Sequence, residues 1–242
     1  MGLIPGVLLV LISLASGFHV DSIAFDSLID LEQGTVTPAR RALVEDGILS
    51  IRGVPGVKYL RRTVFTQAQN CIPHIKDSDS VRHSVNRVSF GVRSEFLIQR
   101  DETLGHEKLC GEFEKTSFAL RKTVQNVIQM LIGRLDEICG SSDFFVAPEY
   151  KSIEKMVVAG NSLEHFHVYN SNASMSIQLH TDNGLFIAFI PAICDDETAQ
   201  SCGLLLRDIN QDESLATFDD DGDVIVFMLG KFLFGGKRFL VV

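Results

Sequence analysis

The feature that most constrains the fold is a change of periodicity near Pro148. Apolar residues at three-to-four spacing run through residues 113–138, which predicts one long amphipathic helix. After Pro148 the apolar runs are short and separated by Gly, Asn and Asp, which predicts antiparallel strands. These predicted strands are 155–159, 165–169, 174–189, 203–207 and 223–229. Helices early and strands late indicate an α+β fold with either a sandwich or a double-stranded β-helix (jelly-roll) core, supported by the long helix.

A helix-strand unit precedes the long helix. Thr37 and Pro38 are typical of a helix start, and Gly47 is typical of its end. Residues 48–51 follow as a predicted strand, closed by a Gly- and Pro-containing turn. In contrast, residues 70–111 are polar and have no clear period, so we expect an irregular insertion there.

The first 17 residues are apolar in their middle and end in small residues. This pattern is typical of a cleaved signal peptide. The alternative is a short membrane anchor, but the apolar run is below the ~20 residues that span a bilayer. We therefore expect residues 18–242 to form a single secreted domain that is not held in a membrane. The formal net charge of −9 argues against a nucleic-acid partner, which would require a basic surface.

The chain contains five cysteines, enough for two disulfides and one remaining thiol in a secreted protein. Cys194 and Cys202 flank an acidic loop and are the most plausible pair. Asn172 begins an Asn-Ala-Ser glycosylation sequon. Residues 219–223 are acidic, but they lack the ligand spacing of an EF-hand loop, so an acidic turn before a strand is the better interpretation.

The strongest candidate for chemistry is His180-Thr181-Asp182. On an extended strand, residues two apart project to the same face, so His180 and Asp182 would share the polar face of the predicted strand. A divalent cation would satisfy both groups at once. Two alternatives need no metal: a hydrogen-bonded His–Asp pair, or a turn formed by Asp182-Asn183-Gly184.

The surrounding residues resemble a known family. Residues 180–190, 203–208 and 221–230 follow one another in the order found in isopenicillin N synthase-like iron(II)- and 2-oxoglutarate-dependent oxygenases. The helix-strand unit at 39–56 and the long helix at 113–138 also fit this resemblance. It covers the C-terminal third best.

The resemblance implies a function and a set of site residues. His180 and Asp182 would be two members of a two-histidine, one-carboxylate iron(II) site. The co-substrate would be 2-oxoglutarate, oxidised with dioxygen to succinate while a small organic substrate is oxidised. Tyr169, on the strand before the motif, corresponds loosely to a residue that contacts the co-substrate.

The sequence departs from the family pattern at its C-terminal end. No histidine follows His180, whereas the family takes its second histidine from a later strand. Arg238 is the only late arginine and cannot be equated with the family's co-substrate anchor. His165 and His167 share one face of a neighbouring predicted strand and could substitute, but they lie at the wrong place in the chain.

Three interpretations therefore stay open. The chain could be a C-terminally truncated oxygenase that is inactive, or a secreted non-catalytic glycoprotein that uses the same scaffold as a binding module. It could also be an enzyme in which water takes the position of the absent ligand. The substrate and the oligomeric state are not indicated by the sequence.

Overall fold

The computed structural model describes residues 17–30, 33–75, 81–83, 87–95, 107–139, 149–169, 180, 184–193, 203–207, 212–230 and 240–241. The helices are α1 (Phe25–Ile29), α2 (Gln33–Arg41), α3 (Val57–Cys71), α4 (Glu107–Cys139) and α5 (Ile153–Val158), with a π-helical turn at Ala42–Asp46 and 3-10 turns at Ile72–His74 and Asp220–Gly222. The strands are β1 (Phe18–His19), β2 (Ser22–Ala24), β3 (Ile48–Arg52), β4 (Val81–His83), β5 (Arg87–Glu95), β6 (Asn161–Tyr169), β7 (Phe186–Phe189), β8 (Leu205–Arg207), β9 (Glu213–Thr217), β10 (Ile225–Leu229) and β11 (Leu240–Val241).

These strands form three sheets. The central sheet has the order β2-β3-β10-β7, the small sheet β1-β9-β8-β11, and the outer sheet β4-β5-β6. Pairing is antiparallel except for β1 with β9 and β2 with β3, which are parallel. The mixed α/β architecture predicted from the sequence is thus confirmed, but the strands within the described ranges do not close into a barrel.

The central sheet is covered on both faces, and β10 shows why. All five of its residues are buried. Ile225, Phe227 and Leu229 belong to the apolar cluster that contains α4, while Val226 and Met228 belong to the cluster shared with β8 and β9. Alternate residues of a strand project to opposite faces, so β10 lies between a helical layer and the small sheet.

Helix α4 confirms the long helix predicted at 113–138, and it begins six residues earlier, at Glu107. The strand predicted at 155–159 is wrong, because this segment forms α5. The Ser152 side chain caps α5 by accepting a hydrogen bond from the Lys155 backbone N–H at 3.2 Å. Ile153, Met156 and Val157 lie at helical spacing and are buried in the cluster that contains α4. Packing against α4 and the Ser152 cap therefore stabilise a helix here, although the two valines favour a strand.

The irregular segment predicted at 70–111 is also wrong, since it contains β4 and β5. A disulfide joins Cys71, at the end of α3, to Cys110, near the start of α4, with 5.8 Å between the Cα atoms. Beneath the outer sheet, the Phe113 ring packs edge-on against Phe90 and Phe166, at centroid distances of 5.9 and 5.1 Å. A disulfide and an aromatic cluster thus hold a segment whose sequence is polar.

The first helix-strand unit is partly as predicted. Gly47 ends the π-helical turn with a left-handed φ of 71°, and β3 occupies the predicted strand. The helix, however, begins at Gln33 and contains Pro38, although an interior proline lacks the backbone donor and its ring crowds the carbonyl four residues earlier. In the described part of the chain, no helix has the length and apolarity needed to span a membrane. The first 16 residues, Asn172, Cys194 and Cys202 lie outside the described residues, so the predictions on them stay predictions.

Candidate functional site

Of the two predicted metal ligands, the structure describes His180. It is a single β-bridge residue with an exposed side chain, so its imidazole is accessible from solvent. Asp182 lies outside the described residues, as does Thr181. The extended backbone at His180 is consistent with the strand predicted for the motif, and the position of Asp182 beside it stays a prediction.

The chain after the motif leads directly into the central sheet. Gly184 and Leu185 precede β7, which pairs with β10 along its length. At the end of β10, the Gly230 backbone N–H donates to the Leu185 carbonyl at 2.8 Å. A Cβ at position 230 would lie 2.1 Å from the Gly184 carbonyl oxygen, so only glycine allows the two backbones to approach this closely. Two segments of the family resemblance, His180–Ile190 and Asp221–Gly230, are therefore neighbours in space.

A second polar group lies on one face of the outer sheet. We call this the histidine face, and it consists of Arg82, Arg87, Ser89, Gly91, His165, His167 and Tyr169. His167 and Ser89 are register partners, and their Nδ1 and Oγ atoms lie 2.9 Å apart. The ring centroids of His165 and His167 are 5.4 Å apart, and those of His167 and Tyr169 are 6.0 Å apart. The structure thus brings together the two histidines and the tyrosine named from the sequence.

Burial and positive charge keep the imidazoles of this face neutral. The pKa of His167 is lowered to about 4, first by burial and then by the positive charge of Arg87. The pKa of His165 is lowered by burial, by Arg87 and by Arg82. At neutral pH both rings are therefore hydrogen-bonding groups without charge, beside two guanidinium groups.

The metal that the resemblance implies is iron(II), and His180 and Asp182 offer suitable imidazole and carboxylate donors. Within the described ranges, no three His, Cys, Asp or Glu side chains lie close enough together to hold a metal ion. His165 and His167 provide two imidazoles, but the guanidinium charges that act on them disfavour a dication. The donor types of His180 and Asp182 are therefore ones that iron(II) accepts, and the assignment of the metal to these two residues stays a prediction.

A buried ion pair beside β10 was missed in the sequence. Arg61 of α3 donates from Nη1 to Asp223 Oδ1 at 3.0 Å, and from Nε and Nη2 to the carbonyls of Pro191 and Ala192 at 2.9 and 2.7 Å. The pair joins α3 to the segments that end β7 and begin β10. Gly222, with a φ of 78°, forms the predicted acidic turn before the strand. Arg61 is followed by Arg62 in the sequence, and only its position on the apolar face of the helix, in line with Val57 and Val64, could have signalled the pair.

Comparison with known proteins gives matches in structure alone. No family model matches the chain, and no curated protein matches its sequence. A dioxygenase for auxin oxidation from Arabidopsis thaliana, in a binary complex with 2-oxoglutarate, is 15% identical, with a TM-score of 0.56 over 92% of this chain and 85% of that one. The rice dioxygenase for auxin oxidation is 15% identical, with a TM-score of 0.59 over 92% of this chain and 76% of that one.

A third solved structure is a full-length protein from Neurospora crassa in complex with alpha-ketoglutarate. It is 13% identical, with a TM-score of 0.58 over 91% of this chain and 76% of that chain. These likenesses extend over nearly the whole chain. The chain therefore has the mixed α/β fold of these solved structures, and the jelly-roll core that the resemblance implies stays a prediction.

Proposed function

We propose that this protein is an iron(II)- and 2-oxoglutarate-dependent oxygenase-like protein with a jelly-roll core. The observation that carries the proposal is the position of the His180 motif, which leads into β7 at its closest approach to the end of β10. The neighbours named for 2-oxoglutarate or alpha-ketoglutarate complexes support the same co-substrate.

His180 and Asp182 are the residues that would hold the metal. The imidazole of His180 donates a lone pair when neutral, and the Asp182 carboxylate neutralises part of the positive charge. Iron(II), when bound, supplies the oxidation chemistry that no side chain can perform. The Tyr169 hydroxyl would donate a hydrogen bond to a co-substrate carboxylate. The reaction class is oxidation of a small organic molecule with dioxygen, coupled to decarboxylation of the 2-oxo acid.

The printed sequence supplies no histidine after His180, and this limits what the 242-residue chain does. With two protein ligands we expect weak iron(II) binding and no 2-oxoglutarate-coupled turnover. The alternative is a non-catalytic, secreted binding module on the same scaffold. The signal-like first 17 residues and the Asn172 sequon favour this alternative.

Metal binding and product formation separate these functions. Iron(II) titration of the full chain under anaerobic conditions is expected to give weak binding that His180→Ala reduces by about tenfold or more. His74→Ala is the matched control, since His74 is also exposed. Incubation with 2-oxoglutarate and dioxygen is expected to give no succinate. Metal binding that does not depend on His180 would favour the binding module, and His180-dependent succinate would contradict the inactive assignment.

A further inference from the structure

The Cys71–Cys110 disulfide closes a loop that contains two of the three strands of the outer sheet. Cys71 is the last residue of α3, and Cys110 lies 39 residues later, in α4. Strands β4 and β5 lie between the two cysteines in the chain, whereas β2, β3, β7 and β10 of the central sheet lie outside this loop. A cross-link constrains the segment that it closes. The disulfide therefore acts on the outer sheet far more than on the central sheet.

The disulfide also belongs to the core that supports the outer sheet. Both cysteines lie in one apolar cluster with Phe90 of β5 and Phe113 of α4, whereas the residues of β10 belong to the two other clusters. The helical backbone of α4 is interrupted at Cys110, where φ is −134° and ψ is 17°. The cross-link thus joins the interrupted start of α4 to the end of α3, and the packing around it is separate from the packing around β10.

Access to the disulfide depends on the end of α3. Cys71 is 9% exposed and Cys110 is 4% exposed, so neither sulfur is open to a reductant while the helix end is closed. Cys71 is followed directly by the 3-10 turn at Ile72–His74, and helix ends open locally at a lower free energy than core strands do. A small reductant can therefore reach Cys71 after local opening, while the central sheet stays folded.

We propose that the Cys71–Cys110 disulfide is a redox-sensitive lock on the outer sheet, opened by a dithiol reductant. A thiolate of the dithiol attacks Sγ of Cys71, the disulfide bond breaks, and Cys110 leaves as a thiolate. The second thiol of the reductant then displaces Cys71. Two electrons and two protons pass to the protein, which gains two thiols, and the dithiol becomes a cyclic disulfide. The open form keeps its central sheet and loses the tight packing of β4 and β5.

The lock affects the proposed site through β6. Strand β6 pairs with β5 along its whole length, and His167 Nδ1 lies 2.9 Å from Ser89 Oγ across this pair. Tyr169, the residue proposed to contact the co-substrate, is the last residue of β6. Opening of the lock is therefore expected to loosen the support of Tyr169, and this consequence alone rests on the proposed function. The lock itself requires neither iron(II) nor 2-oxoglutarate.

The test is amide hydrogen exchange of the full, metal-free chain, followed by mass spectrometry with and without dithiothreitol. We expect dithiothreitol to reduce the disulfide without denaturant, and alkylation to count the two new thiols. Peptides covering β5 should then exchange at least about tenfold faster, while peptides covering β10 change by less than about twofold. Glutathione disulfide should restore the slow exchange.

Two variants control this experiment. The double variant Cys71→Ser with Cys110→Ser should show fast exchange in β5 without any reductant. Cys139→Ala is the matched control, because Cys139 is a buried cysteine outside the disulfide, and it should respond to dithiothreitol as the wild type does. If the double variant does not fold, reduction of the wild-type chain decides the question.

Three results would overturn the proposal. The first is a disulfide that dithiothreitol reduces only in urea, which would make it a permanent staple. The second is equal acceleration in β5 and β10, and the third is unchanged exchange in β5 after complete reduction. Because the test contains no metal and no 2-oxoglutarate, its failure leaves the proposed function unaffected. Absence of metal binding at His180 would likewise leave the lock unaffected.

Discussion

The central sheet and the outer sheet differ in what covers their two faces. Every residue of β10 in the central sheet is buried, whereas β6 in the outer sheet has one face packed on α4 and one that carries His165, His167 and Tyr169. The first arrangement supplies stability, because apolar area is removed from water on both sides. The second leaves polar groups half-exposed on a rigid support. The difference indicates that the central sheet contributes more to the apolar core than the outer sheet does.

The largest expected effect is loss of the central-sheet core. Phe227 has no exposed surface, and its ring packs on Phe186 with centroids 4.7 Å apart. We expect Phe227→Ala to lower the free energy of unfolding by about 3–5 kcal/mol, through lost burial and a cavity. Urea denaturation measures the change. Tyr169→Ala, on the histidine face, should cost less than about 1 kcal/mol, and equal costs would show that the two sheets do not differ in this way.

The ion pair between Arg61 and Asp223 gives the next effect. Both side chains are almost fully buried, so Asp223→Ala leaves a buried guanidinium without its carboxylate and should cost about 3 kcal/mol. The double variant Arg61→Met with Asp223→Leu removes both charges. It should recover a large part of that loss in the same urea experiment. No recovery would mean that the hydrogen bonds from Arg61 to the Pro191 and Ala192 carbonyls matter more than the charge pair.

The pH dependence of stability is the smallest of the three effects and belongs to the outer sheet. The folded-state pKa of His167 is about 4, below the ordinary value of 6.5. The folded state therefore binds fewer protons than the unfolded state, and His167 becomes a destabilising group as pH falls from about 6.5 to about 4. Allowing for solvent screening at this half-buried site, the loss should be about 1–2 kcal/mol.

Urea denaturation at several pH values checks this loss, with His167→Gln as the comparison. Among the described residues, the charged and titratable groups that face His167 are Arg87, Arg82, His165 and Tyr169, and the pKa of His165 is lowered as well. The variant should have a flatter pH profile than the wild type. Identical profiles would show that the imidazole is not held neutral.

The regions that sequence predicted well are those with strong periodicity. Helix α4 has apolar residues at three-to-four spacing and buries one face. Strand β10 is a continuous apolar run and is buried on both faces. The family resemblance was informative because its glycines mark places where two backbones lie close together. Gly230 is an example, since a Cβ there would lie 2.1 Å from the Gly184 carbonyl oxygen. These features are local in the chain, so a single sequence contains them.

The features that sequence did not predict depend on distant partners. Strand β5 pairs with β6, which lies some 70 residues later, and the Cys71–Cys110 disulfide cannot be deduced from spacing alone. Helix α5 was predicted as a strand because its β-branched residues favour one, whereas the Ser152 cap and packing on α4 determine the helix. The arginines near His165 and His167 lie on β4 and β5. Their proximity depends on the register between these strands and β6, which cannot be deduced from the spacing of the two histidines.

Paramagnetic broadening tests most directly whether metal binds at the His180 motif and not at the paired histidines of the outer sheet. Manganese(II) would be added to the isotopically labelled full chain in place of iron(II), and amide signals recorded by NMR. The account predicts that Gly184 and Leu185 broaden first, that His165 and His167 are little affected, and that His180→Ala abolishes the broadening. Broadening centred on His165 and His167, or unchanged by His180→Ala, would contradict it.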